Sequence, residues 1–315
     1  MVRRGTGASA TGKSIATSRL NWKIRLLFGK AFLVLEAIMT EKILRTKIQA
    51  AVEKTRAANP FAPSITNTVT QDFVANAQLA VGGSAAMFYL PDEGETMAQI
   101  APALYLNLGT LMPFYAETIP RTLRALKKFS TPFVLDPVGI GFGELRTEFF
   151  LQMKNFPPTI IRGNASEIIS LSKLWGLNDS ETGKVRGVDS TETVDAAKNS
   201  AALLAKFTGG AVAVSGAEDL ITDGEIFIYS SGGSAFLSKI TGSGCALGGV
   251  MAIYAAVAEP LTAALTATAI FNCAAARAEK FNDAPATFKV KFLDELYKIG
   301  AVEVAENPLR IEAAV

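Results

Sequence analysis

The sequence has no histidine. That absence removes Ser-His-Asp and Cys-His mechanisms and the usual histidine-based zinc sites. A general base, where one acts, is then Asp, Glu, Cys, Lys or Tyr. Cysteine is scarce: Cys245 and Cys273 are the only two in 315 residues. Two thiols do not make a secreted disulfide framework, so a reducing compartment, the cytoplasm, is the better reading. An excess of either charge is missing too. With 31 basic residues, 29 acidic residues and a net charge of +2, nothing marks nucleic acid or a membrane surface as partner. Charged residues make up only 19% and hydrophobic ones 49%, which leaves little room for extended disorder and ample material for a core. Long hydrophobic runs are also lacking. Residues 26–38 are interrupted by Lys30, and residues 245–258 stop at Glu259-Pro260.

Residues 1–38 differ from the rest. Arg3, Arg4, Lys13, Arg19, Lys23, Arg25 and Lys30 all precede the first acid, Glu36, among many Ser, Thr and Gly. This composition suits an organelle transit peptide, a disordered tail, or a start misassigned ahead of Met39. We read residues 1–38 as an extension and residues 39–315 as one domain. Within the extension, Gly7 to Ser14 matches the phosphate-loop pattern GxxxxGK[ST]. A real phosphate loop follows a strand and opens a helix. Only six residues precede this one and they make no hydrophobic strand, so the match is read as chance composition.

From Met39 a helical pattern runs to about Ala58 and stops at Asn59-Pro60. Further helices are predicted over 69–79, 113–129, 146–155, 165–175 and 192–207. Short apolar strands are predicted over 103–108, 132–135, 159–162 and 211–214. Such alternation implies an α/β fold with a mostly parallel sheet covered by helices on both faces. Residues 220–230, with a turn at Asp223-Gly224, read as a hairpin at the sheet edge. Residues 178–190 read as a polar linker, and the chain beyond 245 as helical to about Gly300.

Ligands of open α/β sheets bind beyond the C-terminal strand ends. Four polar clusters follow predicted strands: Asn107 to Thr110, Asp136 to Gly139, Arg162 to Glu167, and Ser215-Gly216. Each alone is an ordinary turn. Together they supply acids, an arginine and close backbone approach, the parts that phosphoryl transfer requires. The sharpest feature is Thr241-Gly242-Ser243-Gly244-Cys245 ahead of an apolar run. A glycine-rich turn opening a buried helix presents free N–H groups and a positive dipole end to an anion. Cys245 falls in the first helical turn, where its thiol pKa is expected to be lowered. The alternative is a plain Gly-Ser-Gly loop with Cys245 as a small buried hydrophobe.

In this order, the clusters resemble the hydroxyethylthiazole kinase family. The similarity covers about Ile48 to Tyr297. Its most specific pieces are Ser64 to Asn67, Phe73 to Asn76, Leu106 to Leu111, Leu135 to Gly139, Ile161 to Glu167, Gly187 to Ser190 and Thr241 to Cys245. The resemblance implies a ribokinase-like fold and a homotrimer with sites between subunits. It implies transfer of the ATP γ-phosphoryl group to 4-methyl-5-(2-hydroxyethyl)thiazole, with Mg2+. Carried over by position, Cys245 is the catalytic-loop residue. Met87, Gly242 and Asn67 belong to the substrate site. Arg162 and Ser215 match ATP contacts, and Asp136 and Glu167 match the magnesium-phosphate acids. The chain departs from the family pattern at Pro63, where His is usual, and at Asp72, where Asn is usual. It also departs at residues 284–288, Ala-Pro-Ala-Thr-Phe for Gly-Pro-Gly-Ser-Phe, and at residues 141–145. These departures keep two other readings in view: a sister kinase of another small alcohol (pyrimidine or pyridoxine type), and a non-catalytic ligand-binding homologue.

Overall fold

The computed structural model describes residues 40–178, 193–281 and 284–313. The N-terminal extension, the phosphate-loop match, the polar linker beyond residue 178 and the 187–190 segment lie outside these residues. The chain divides after Leu44. Among described residues the first unit holds only 40–44, the opening of a helix that continues to residue 58 (α1). The sheet and the remaining helices belong to the second unit.

Eight strands form one sheet in chain order: β1 (Ser64–Ile65), β2 (Leu104–Asn107), β3 (Phe133–Asp136), β4 (Ile160–Asn164), β5 (Ala211–Ser215), β6 (Asp219–Thr222), β7 (Ile226–Ser230) and β8 (Leu309–Ala313). β1 to β5 are parallel, whereas β5 to β8 pair antiparallel. The sheet is therefore mixed and mostly parallel among its first strands, as expected. Parallel strands in chain order need crossovers of one hand. The helices α6 (Ala165–Leu174) and α7 (Val194–Thr208) supply them after β4, lying against β4 and β5. The other main helices are α8 (Ser243–Ala255) and α9 (Pro260–Glu279), which pack on β2 to β4 and on β5 to β7 respectively. Residues of β2 and β3 are buried throughout, the signature of strands covered on both faces. Among the described helices, α9 is long and apolar enough to cross a bilayer, but 83% of that window is buried inside the fold. It is a core helix.

Three elements escape the sequence pattern. The helix α3 (Pro91–Ile100) contains three acids and Gly94, so it shows little apolar face. Gly94 lets it approach helix α4 (Tyr115–Phe129) closely: an added Cβ would meet the Thr122 hydroxyl at 2.0 Å. β1 is only two residues long. β8 is a partly exposed edge strand carrying Arg310 and Glu312. The chain beyond Cys245 is thus helical only to α11 (Ala301–Ala305), and then returns to the sheet.

Candidate active site

The strand register aligns the polar clusters. Asn107, the last residue of β2, sits opposite Asp136, the last of β3. Asn164 ends β4 opposite Ser215, which ends β5. Arg162, two residues earlier on β4, reaches Asp136 from one side and Ser215 from the other. Its Nη1 lies 3.2 Å from Asp136 Oδ2 and its Nη2 donates to Ser215 Oγ at 2.9 Å. Asp136 is fully buried and its Oδ2 also accepts from the Tyr105 hydroxyl (2.9 Å) and Asn107 Nδ2 (3.1 Å).

Over this pair stands the start of α8. Gly242 caps the helix at φ 87°, with no side-chain hydrogen bond to the first turn. A side chain there would strain the backbone and place Cβ 2.6 Å from Thr70 Cγ2. A Cβ on Gly244 would stand 2.5 Å from Arg162 Nη1. The backbone of the loop is therefore pressed onto the guanidinium, and only glycine permits it. Cys245 is buried in the first turn, and its Sγ accepts from Asn107 Nδ2 at 3.2 Å.

The buried charges set one another. Burial raises the Asp136 carboxyl, while the Arg162 charge and donors from Tyr105 and Asn107 pull it down. Burial likewise opposes the Arg162 charge, but Asp136 and Glu167 outweigh it and its pKa rises. Glu167 is pushed up to about 7, first by burial and then by Asp136. The Cys245 thiol departs from expectation. Its place at a helix N-terminus predicts a lowered pKa, yet it is pushed up to about 11. Loss of water dominates, Asp136 adds to it, and the donors from Thr70 and Asn107 do not compensate. Cys245 is a protonated thiol at neutral pH.

The remaining candidates fall on either side of this centre. A cleft of about 640 Å³ opens beside β5, lined by Arg162, Ser215, Asp219, Gly233, Ser243 and Gly244. On the other side, Asn67 follows β1, and its Oδ1 accepts from the Thr110 hydroxyl at 2.9 Å. Met87 pairs alongside Ser64 of β1, outside the first strand. Asn67 and Met87 thus stand toward β1 and Ser215 at the tip of β5, with Asp136, Arg162 and Cys245 between. Glu167 belongs to the first turn of α6: its Oε2 accepts from Asn164 N at 2.8 Å, and Asn164 Oδ1 accepts from Glu167 N at 2.9 Å. Among the described residues no cluster of three or more Cys, Asp or Glu could cage a metal. The Asp136 Oδ1 atom, however, is buried without a partner. Such a donor set suits an ion held chiefly by phosphate oxygens and water.

Tyr105, Asp219, Asn272 and the Gly232-Gly233 turn do not stand out in the sequence pattern. Asp219 and Asn272 form the cleft wall, joined at 3.0 Å. The two adjacent glycines, both at positive φ, were the available signal for the turn.

The fold and this centre define a class: a ribokinase-like α/β protein with an open, glycine-capped helix end above a buried acid–arginine pair. The comparisons narrow it. A model of the hydroxyethylthiazole kinase family matches residues 52–301. A hydroxyethylthiazole kinase of Bifidobacterium longum subsp. infantis is 45% identical over 288 residues, spanning 85% of this chain and 92% of its own. One from Bifidobacterium adolescentis is 47% identical over 277 residues, spanning 84% and 94%. Among solved structures, a hydroxyethylthiazole kinase protein from Pyrococcus horikoshii matches with a TM-score of 0.75 at 30% identity, covering 84% of this chain and 98% of that one. The pyridoxal kinase of Staphylococcus aureus, at 16% identity and TM-score 0.55, shares the fold. This chain belongs to the hydroxyethylthiazole kinase family.

Proposed function

We propose that this protein transfers the γ-phosphoryl group of ATP to the hydroxyl of 4-methyl-5-(2-hydroxyethyl)thiazole. One observation carries the reading: the uncapped start of α8, Gly242 to Cys245, lies against the Arg162–Asp136 pair with room for a nucleotide beside it. ATP occupies the 640 Å³ cleft, with its phosphates toward the N–H groups of α8, Arg162 and Ser215. The thiazole lies on the β1 side, where the polarizable thioether of Met87 suits a sulfur heterocycle and Asn67 offers its amide. The acceptor hydroxyl meets the terminal phosphate at Cys245.

Phosphoryl transfer through a loose transition state asks the protein for alignment and charge compensation more than for proton abstraction. Arg162 and the α8 dipole supply the charge compensation. Cys245, as a neutral thiol, orients the alcohol by hydrogen bonding and is not a preformed thiolate. Mg2+ enters with ATP as part of the co-substrate. Asp136 through its unpartnered oxygen, and Glu167, are the residues that would face its water shell. In this reading residues 39–315 are one kinase domain in the cytoplasm, and residues 1–38 are an extension with the composition of a targeting segment. The family resemblance supports a homotrimer in which a neighbouring subunit completes the thiazole site. Light scattering at a single-chain mass would remove that part.

The test is a coupled ADP-release assay with hydroxyethylthiazole and Mg-ATP. Turnover of this alcohol is expected. Turnover only of a pyrimidine or pyridoxine-type alcohol would replace the substrate, a possibility to which Pro63 and Asp72 give weight. ATP binding with no alcohol turned over would make the chain a binding homologue.

A further inference from the structure

Asn107 is completely buried at the end of β2, between the substrate and nucleotide sides of the site. Its amide sense is set from outside the site. Gly109 N donates to Oδ1 at 2.9 Å, so the oxygen faces the loop and Nδ2 faces inward. There Nδ2 lies 3.2 Å from Cys245 Sγ, 3.1 Å from Asp136 Oδ2 and 2.9 Å from the Tyr105 hydroxyl. Gly109 is itself held. Arg146 Nε donates to Leu108 O (3.1 Å), Nη2 to Gly109 O (3.3 Å) and Nη1 to Phe142 O (2.7 Å), which ties the loop after β2 to the loop after β3. The next residue, Thr110, donates to Asn67.

We propose that Asn107 is the positioning residue for Cys245, with the Gly109 amide fixing its donor direction and Arg146 holding Gly109 in place. A sulfur that accepts from Asn107 on one lone pair and from Thr70 on the other has only its S–H directed elsewhere, and in this proposal that proton faces the acceptor alcohol. Asn107 touches no reacting atom in this arrangement. It acts through the thiol, and the chain Arg146–Gly109–Asn107–Cys245 links the loop after β2, whose Thr110 donates to Asn67, to the phosphoryl centre. Loss of alignment by about 1 Å can cost about 100-fold in rate. The inference rests on Cys245 being the residue at the transferred group.

Two measurements test it. In the first, Asn107→Ala is expected to lower kcat about 10- to 100-fold with KM for ATP and alcohol within about threefold. In a Cys245→Ala background the same substitution is expected to change kcat less than about twofold, because contacting residues acting as a unit are non-additive. Full additivity would mean that Asn107 merely satisfies buried Asp136, and would overturn the proposal. The second uses iodoacetamide alkylation of Cys245 in a Cys273→Ser chain at fixed pH, and needs no turnover. Asn107→Ala, or Arg146→Ala where the first does not fold, is expected to change the alkylation rate at least about fivefold. An unchanged rate overturns the proposal. Where Cys245→Ala leaves no measurable kcat, alkylation alone decides. A parent enzyme inactive on the thiazole but with an Asn107-dependent alkylation rate would remove the proposed substrate while leaving the positioning role.

Discussion

Two helices begin at the C-terminal edge of this sheet, and their first turns are built in opposite ways. α6 is closed on itself. Asn164 and Glu167 exchange hydrogen bonds across a capping box, and the carboxylate of Glu167 occupies the positive end of the helix. α8 is left open. Its cap is a glycine, its first turn holds no acid, and Arg162 is brought up beside it. The first arrangement stabilises a fold; the second leaves N–H groups and a positive field without a side-chain cap, an arrangement that suits an anion. The same sheet edge thus offers one helix end saturated by its own sequence and one left open.

The largest effect is expected from Arg162→Ala, which strips the open helix end of its cation. Removing one partner of a buried ion pair costs about 3–5 kcal/mol, because Asp136 remains charged or must take up a proton without its arginine. Thermal unfolding should show that loss. At temperatures where the variant stays folded, kcat/KM for ATP should fall about 10²- to 10³-fold, the size seen when a preorganised donor to developing charge is removed. A variant that loses stability but uses ATP at the parent rate would place the phosphates away from α8.

Next in size is Gly242→Ala. It forces a left-handed backbone on a residue with a Cβ and drives that carbon into Thr70, for about 1–3 kcal/mol in stability. The companion change in α6, Asn164→Ala, costs about 1 kcal/mol through its lost cap. The contrast lies in activity. Gly242→Ala should lower kcat more than its stability loss explains, because it moves the N–H groups that face the phosphate. Equal loss of activity from the two changes, measured well below both melting temperatures, would erase the distinction between the open and the closed end.

The open end was legible in the sequence because its signal is local: glycines two residues apart before an apolar run. The parallel strands β2 to β5 were legible for the same reason, each an apolar run ending in a polar residue, whereas the two residues of β1 were too few to show one. What makes the site work was less so. Asn107 matters through its register opposite Asp136 and its amide sense, set by a backbone N–H two residues on; neither leaves a compositional trace. The raised thiol pKa of Cys245 went the other way from the local rule, because a helix end offers a favourable field while the packed interior takes away water, and here burial is the larger effect. β8 was missed because an exposed edge strand with alternating charge looks like a tail. Glu167 was legible as an acid after a strand, but its sequence position alone cannot separate a helix cap from a magnesium-facing carboxylate, since both require an acid in that turn.

Glu167→Gln separates those two roles and is the subtlest change. Glutamine at the third helical position also closes a capping box, so the fold of α6 should survive. The folded carboxyl is pushed up to about 7 from 4.5 by burial and by Asp136. Between those two values the folded chain holds a proton that the unfolded chain has released. The parent therefore loses stability from this group as pH rises from about 4.5 through 7, and the penalty is complete above 7. Glutamine does not titrate, so the melting temperature of the variant minus that of the parent should climb across this window and level off beyond it. A flat difference would mean that the carboxylate is as comfortable in the fold as in water. On the activity side, a carboxylate that faces the metal-phosphate group should, once replaced, raise the magnesium concentration needed for half-maximal turnover about tenfold, at the low end of what loss of an outer-shell partner costs. An unchanged magnesium requirement with a climbing stability difference would leave Glu167 as the cap of the closed helix and nothing more.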